Sequence, residues 1–369
     1  MAEQIQPNLD AGAPAQAKQA VDPRRRKRRR RILLLSVLGL LSAGELTLRY
    51  FANRDSKFNI FLGAEKEFDP VRRTRWKRNY HVGDFNTNSR GFPSREFETR
   101  KTPGSFRIVC LGDSASVIPP RKSYPAALEA RLRALLPGRQ IDVINASCSG
   151  YDSRQARAWY EGEIDSIEHD MLLIYLGWND MGQYNPDGLV YKQQETGYLK
   201  EPSLLDKAIL NIYLLRSIYV VRGFLEKRQT FSTEPLTGDD LAKYAAFYPT
   251  HFEENLLAII RLAHSKGRTV RLLNYAGLVV ENPTADEQRR MHFPRGMGRR
   301  LHKYLSLMNS YETALDKVSK ETGTPIIDVE SRFVDAESRE VFSDSAHFNE
   351  RGSEMLAEVV AGAIKSEVK

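Results

Sequence analysis

Four short stretches of the chain carry side chains able to accept a proton, attack a carbonyl or hold an anion. The first is Leu111-Gly112-Asp113-Ser114, directly after the apolar run Phe106–Leu111. A Ser at a strand-to-helix turn exposes its hydroxyl at the top of a sheet, where a nucleophile is needed. The second, Asn145-Ala-Ser-Cys-Ser-Gly150, follows Ile141–Asn145. Glycine there lets the backbone approach a ligand closely and offer its N–H. The third, Gly177-Trp178-Asn179-Asp180, follows Met171–Leu176, and an Asn amide can donate to a developing oxyanion. The fourth is Asp344-Ser-Ala-His347, where a His can take the Ser proton and a carboxylate can fix its tautomer. Together these groups suit acyl transfer through a serine. Taken singly they are common: Gly-Asp-Ser is an ordinary turn, Asp-x-x-His an ordinary capped loop, Asn-Asp a frequent loop dipeptide. Their order and their placement at element ends give them weight.

The elements that must position them alternate in type. Phe106–Leu111, Ile141–Asn145, Met171–Leu176, Thr269–Asn274 and Pro325–Val329 read as five strands. Met171–Leu176 is continuously apolar, as in a strand covered on both faces. Tyr124–Leu136, Ser153–Ile167 and Glu350–Ile364 read as helices from their apolar spacing. Alternation of this kind predicts an α/β fold with right-handed crossovers and a parallel sheet covered on both sides. Leu204–Glu226 and Asp239–His264 are two further predicted helices, and residues 182–236 are expected to form an insertion at the carboxyl edge, where such sheets bind ligands. No Gly-x-Gly-x-x-Gly follows a strand and no Walker loop is present, so nucleotide binding has no support.

The blocks resemble those of the SGNH hydrolases, also called the GDSL esterase/lipase family. Ser114, Gly150, Asn179 and His347 match the four namesake residues in order, and Asp344 matches the triad acid. The resemblance spans residues 105–368, interrupted by the insertion. Phe85-Asn-Thr-Asn-Ser-Arg-Gly-Phe92 is similar to a segment of bacterial membrane-anchored members. Two departures stand out. Ala-Ser-Val-Ile-Pro-Pro follows Ser114 without a Gly, so the next helix is expected near Ser123; and Ser147 stands where many members have Gly. The resemblance implies a three-layer α/β/α, flavodoxin-like fold. It also implies an acyl-enzyme mechanism with Ser114, His347 and Asp344 as catalytic triad. The oxyanion hole would comprise the backbone N–H of Ser114, that of Gly150 and the Asn179 amide. Asp113 and Trp178 are candidate substrate contacts; core packing is the competing role for Trp178.

Charge is distributed unevenly. The 369 residues hold 55 Lys+Arg and 47 Asp+Glu, a net charge of +8. Residues 1–31 contribute nine cations, eight of them in the unbroken run Arg24–Arg31, against three acids, leaving only +2 for the rest. A nucleic-acid-binding body would itself be strongly basic, so nucleic acid is excluded as the body's partner. Residues 1–31 are expected to be a disordered basic tail. Ile32–Gly44 is uncharged, and with Glu45–Ala52 the stretch makes 21 residues, about 31 Å of helix. A membrane-spanning anchor at residues 32–52 is the favoured reading. A cleavable signal peptide ending near Ser42 or Gly44 and a buried soluble helix are the competitors. Cations concentrated before the apolar stretch predict a cytoplasmic N-terminus and an extracytoplasmic, or periplasmic, body. Glu45 and Arg49 can pair at i,i+4 near the helix end and Arg49 can also snorkel toward headgroups, while residues 53–104 are expected as a polar, irregular connecting segment leading to the hydrolase domain at 105–369.

Two cysteines, Cys110 and Cys148, exclude a disulfide framework; two buried free thiols are expected, with a single disulfide between them as the alternative. Arg289, Arg290, His292, Arg295, Arg299, Arg300 and Lys303 are expected in a basic surface loop before the fifth strand. No histidine shows metal-ligand spacing, so neither metal nor cofactor is expected. The function expected is a membrane-anchored ester hydrolase. A glycan O-acetyl ester is the substrate class that the resemblance to anchored members implies. A lipase, lysophospholipase or thioesterase, an acyltransferase to an envelope glycan and a non-catalytic glycan-binding protein are the alternatives.

Overall fold

The structure is a computed structural model that describes residues 23–55, 58–59, 62–120, 122–185, 189–191, 203–226, 230–294 and 296–368. The chain divides into two units, residues 1–47 and 48–369. The first is built on α1 (Pro23–Ala52), which runs on to the start of the second. The stretch Arg24–Ala52 is long and apolar enough to cross a membrane by length and composition, and side chains such as Leu33 and Leu40 are exposed. Residues 23–31 correct the expected tail: they are helical. Pro23 suits a first helical position, and Arg and Lys are good helix formers with no breaker among them. The remainder of the predicted tail lies outside the described residues.

The connecting segment holds two antiparallel hairpins, β1 (Lys66–Asp69) with β2 (Arg73–Trp76), and β3 (His81–Val82) with β4 (Phe85–Asn86). Trp76, Phe85 and Phe92 are fully buried and belong to the main core. The segment therefore packs as part of the body, not as an irregular lead. Its strands are short and heavily charged, which hid them from periodicity.

The central sheet comprises β5 (Phe106–Gly112), β6 (Ile141–Ser147), β7 (Met171–Tyr175), β10 (Thr269–Leu273) and β11 (Ile326–Ile327), all parallel. The lateral order is β11-β10-β7-β5-β6, the flavodoxin-like order in which strand succession reverses at the first strand. The short hairpin β8 (Tyr184–Asn185) and β9 (Val190–Tyr191) stands apart in the insertion. Because parallel crossovers are right-handed, the reversal at β5 puts α2 (Tyr124–Leu135) on one face and α3 (Ser153–Gly162) on the other. The helices that lead to β10 and β11 follow α3. The final helix, Glu350–Ile364, returns to pack on α2.

The helix predicted to run to Ile167 ends at Gly162 and is followed by a 3₁₀ turn over Ile164–Ser166, and helix bounds differ from expectation at three further places. After the one-turn helix α4 (Trp178–Met181), the insertion carries α5 (Leu204–Asn211) and α6 (Tyr213–Glu226) where one helix was predicted. Arg49 Nη2 donates to the Asn211 carbonyl at 2.7 Å, capping α5, and its guanidinium lies 4.7 Å from the centre of the Tyr213 ring. Arg49 thus engages the body. Residues 186–188, 192–202 and 227–229 of the predicted insertion lie outside the described residues. The helix predicted over 239–264 is also two, α7 (Gly238–Ala246) and α8 (Thr250–Ser265). Pro249 separates them, since it cannot donate and disfavours helix in the residue before it. The basic loop is the third difference. Arg289 and Arg290 close α9 (Ala285–Arg290), and Lys303 lies in α10 (Leu301–Thr322). Arg289 and Arg290 pair with Asp286, while Arg300 and Lys303 pair with Asp240. The last helix is α11 (Glu350–Ile364), with the predicted bounds and Asn349 as its cap.

Candidate active site

The ends of three neighbouring strands carry three of the four blocks. Gly112 is the register partner of both Ser147 and Tyr175. The chain therefore leaves β5, β6 and β7 side by side at one edge. Ser114 opens a single 3₁₀ turn, Ser114–Ser116, capped by Asp113, whose carboxylate accepts the Ala115 N–H at 2.9 Å. Between Arg107 and Val117, Ser114 alone is not buried. Glycine leaves room at 112, where a Cβ would crowd the Ser116 and Ser147 side chains. As expected from the missing glycine after Ser114, the following helix begins only at Tyr124.

The fourth block arrives from the far end of the chain. Ser114 Oγ lies 2.7 Å from His347 Nε2, and His347 Nδ1 lies 2.8 and 2.9 Å from the two Asp344 oxygens. A carboxylate only accepts, so Nδ1 carries the proton and donates; Nε2 then accepts from the Ser hydroxyl. The Asp344 carboxylate also takes the backbone N–H groups of Ala346 and His347, both at 3.1 Å, closing an Asx turn. Burial works against the charge on Asp344. The His347 hydrogen bond and charge outweigh it, with help from His292, and hold the carboxyl well below the usual range. Burial likewise draws the His347 pKa down, but the Asp344 hydrogen bond and charge, with Asp113, raise it above the ordinary value.

Sequence reasoning missed the brace around this turn. Ser345 Oγ accepts the His292 N–H at 2.8 Å and donates to the His292 carbonyl at 2.7 Å. Leu278 N–H donates to the Ser345 carbonyl at 3.0 Å. Gly277 permits that approach, because a Cβ there would lie 2.3 Å from the same carbonyl. These partners are 53 or more residues from the turn, and no local pattern marks them.

The third block is pinned from below. Asp180 is buried and accepts the Ser153 N–H, fixing α4 to the start of α3. Burial, with the nearby Asp152 carboxylate, holds its carboxyl well above the usual range. Asn179 Nδ2 donates to the Tyr151 carbonyl at 3.1 Å and to Asp113 Oδ2 at 3.2 Å. Both amide hydrogens thus have acceptors within the protein.

Asp113 corrects an expectation. It is fully buried, so it cannot be a substrate contact; its carboxylate serves the Ser114 turn and Asn179. Burial pushes its carboxyl up to about 6, against the Ala115 N–H, His347 and Asn179. Trp178 is half-buried and packs edge-to-face on Tyr275 with ring centroids 5.6 Å apart, the packing role weighed against stacking on substrate. Cys110 and Cys148 are both buried and free, and burial pushes both thiols up to about 12.

Sheet, strand order and the four assembled blocks define an α/β acyl hydrolase architecture. The chain belongs to the GDSL-like lipase/acylhydrolase family, which matches residues 110–355. It is by that membership an ester-hydrolysing enzyme. Among solved structures the chain is similar to the acetyl xylan esterase AlAXEase, at 15% identity and a TM-score of 0.43, covering 70% of this chain and 100% of that one. It is similar also to Axe2, an acetyl-xylooligosaccharide esterase from Geobacillus Stearmophilus, at 16% identity and a TM-score of 0.42, covering 72% and 96%. The psychrotrophic esterase EstA from Pseudoalteromonas sp. is similar at 15% identity and a TM-score of 0.38, covering 71% and 97%. No curated protein matches the chain in sequence.

Proposed function

We propose that the protein is a membrane-anchored serine esterase that works through an acyl-enzyme and removes short acyl groups, acetyl foremost, from an extracytoplasmic glycan. The observation that carries the serine mechanism is the relay from Ser114 through His347 to Asp344 at 2.7 and 2.8 Å. In it Ser114 attacks the ester carbonyl as His347 takes its proton; His347 then returns the proton to the leaving alcohol, and water repeats the sequence on the acyl-enzyme. The Ser114 and Gly150 backbone N–H groups and the Asn179 amide hold the oxyanion. Asn179 does so by turning one hydrogen from Asp113, the longer of its two bonds, toward the new charge. Asn179→Ala is expected to lower kcat by about 10²–10³-fold with little change in KM; steady-state kinetics on an aryl acetate check it, and a loss below about threefold would remove Asn179 from the hole.

The anchor rests on the apolar length of α1 beside Arg24–Arg31, and the glycan preference on the resemblance to anchored bacterial members. One observation favours a second reading, a lipid ester: Leu204, Leu205, Ile218 and Val221 of the insertion are exposed. A membrane-impermeant aryl ester, charged on its phenol and offered as acetyl, butyryl and octanoyl forms to right-side-out and inverted vesicles, tests both points. Acetyl turnover without detergent in right-side-out vesicles only, absent in Ser114→Ala, is expected. Turnover in inverted vesicles only would reverse the orientation, and an octanoyl preference would favour the lipid reading.

A further inference from the structure

The hairpin β1–β2 lies against the end of β6, the loop that leaves it and the start of α3, and four side-chain hydrogen bonds to backbone join them. Trp76 Nε1 donates to the Ser147 carbonyl at 2.8 Å, and Tyr151 OH donates to the Thr74 carbonyl at 2.5 Å. Gln155 Nε2 donates to the Arg72 carbonyl at 2.7 Å, and Lys66 Nζ donates to the Ser149 carbonyl. Lys66 and Trp76 are register partners across the hairpin. The ammonium sits 5.5 Å from the centre of the Trp76 ring, which holds it over the loop.

The loop is a β-turn. Tyr151 N–H donates to the Cys148 carbonyl at 3.1 Å, and Gly150 has φ +76°, the pattern of a type II turn with glycine in its third position. Types I and II differ chiefly by a flip of the central peptide, here Ser149–Gly150. In a trans peptide the C=O and N–H point to opposite sides. Whatever grips the Ser149 carbonyl therefore decides where the Gly150 N–H points. The Lys66 ammonium grips it, and would lie only 3.6 Å from a Cβ placed on Gly150. A charged donor on the carbonyl also polarises the peptide and strengthens its N–H as a donor.

We infer that Lys66 is a positioning residue for catalysis: by holding the Ser149 carbonyl it locks the turn so that the Gly150 N–H faces the oxyanion. The inference rests on Gly150 as an oxyanion donor, and it ties the connecting segment to the rate of the chemical step. Neither Lys66 nor its hairpin lies within the family's four blocks.

Lys66→Met keeps the apolar stem and removes the donor; Lys66→Arg restores a charged donor of similar reach. In full-length protein, Lys66→Met is expected to lower kcat on an aryl acetate by about 10–10²-fold, part of the loss from deleting a donor outright, with KM within about twofold. Binding of a small boronic acid, which forms a tetrahedral adduct on the serine, should weaken by the same factor. Lys66→Arg should recover most of both. Unchanged kcat in a folded Lys66→Met overturns the inference. So does a variant that loses thermal stability while boronate affinity holds, since that is a structural brace only. If Lys66→Met does not fold, Lys66→Arg decides alone: wild-type kcat and boronate affinity support the inference, and a large loss of both with the fold intact overturns it. Wild-type protein without Ser114-dependent turnover would instead overturn the site reading and this inference with it.

Discussion

Replacing Ser114 by Ala should abolish turnover to within background, a loss of about 10⁶-fold in kcat, while leaving the folded protein intact. The reason is in the placement of the hydroxyl. Its oxygen is the only polar atom the side chain brings to the site, and it stands 2.7 Å from the ring nitrogen that would take its proton. The substitution keeps the backbone N–H and the 3₁₀ turn, because that turn is capped by Asp113 and not by Ser114. His347 Nε2 loses one partner but lies at a partly exposed position where water can replace it. A fluorophosphonate probe should label the wild-type protein at one site and leave Ser114→Ala unlabelled. Labelling of the variant at undiminished strength would refute Ser114 as nucleophile.

Asp344→Asn carries the second largest expected effect, about 10⁴-fold in kcat. The wild-type carboxylate accepts from Nδ1 and so keeps the Nε2 lone pair toward Ser114. An amide can donate to Nδ1 instead, which moves the ring proton to Nε2 and leaves no base facing the hydroxyl. The pH profile should change as well. A histidine acts as a base only when neutral, and the His347 pKa lies above the ordinary value because Asp344 outweighs burial. Wild-type kcat/KM should therefore fall as pH drops through that raised pKa. Without the Asp344 charge, burial pulls the pKa down, and the acidic limb of the residual activity should move to lower pH. A loss smaller than about tenfold, or a limb that does not move, would argue that Asp344 is not the orienting acid.

Much of this site was legible locally. Asp344 and His347 are three residues apart, so one Asx turn brings them together whatever the rest of the chain does. The five strands were recognisable from their apolar runs, buried nearly throughout in β5 and β7 and only in part in β10 and β11, and their ends moved by two residues at most once hydrogen-bond partners were in place. Asp113 shows where residue type misleads: a carboxylate beside the proposed nucleophile suggested a substrate contact, but complete burial turned it into a cap. The helix breaks at Ile212 and Pro249 were hidden by apolar spacing that continues through both.

What the amino-acid order determined by itself was the chemistry available, the α/β class and the edge of the sheet on which the reactive blocks would lie. Those follow from side-chain pKa, short-range turn geometry and hydrophobic period, all of which act within a few residues. Only the tertiary structure decided that Ser114 meets His347 across 233 residues, and that Lys66 reaches the Ser149 carbonyl across 83. Such contacts carry no local signature. They arise because strand order, crossover handedness and the burial of Trp76 place distant segments at one edge, and packing of the whole core supplies the free energy that closes those long loops.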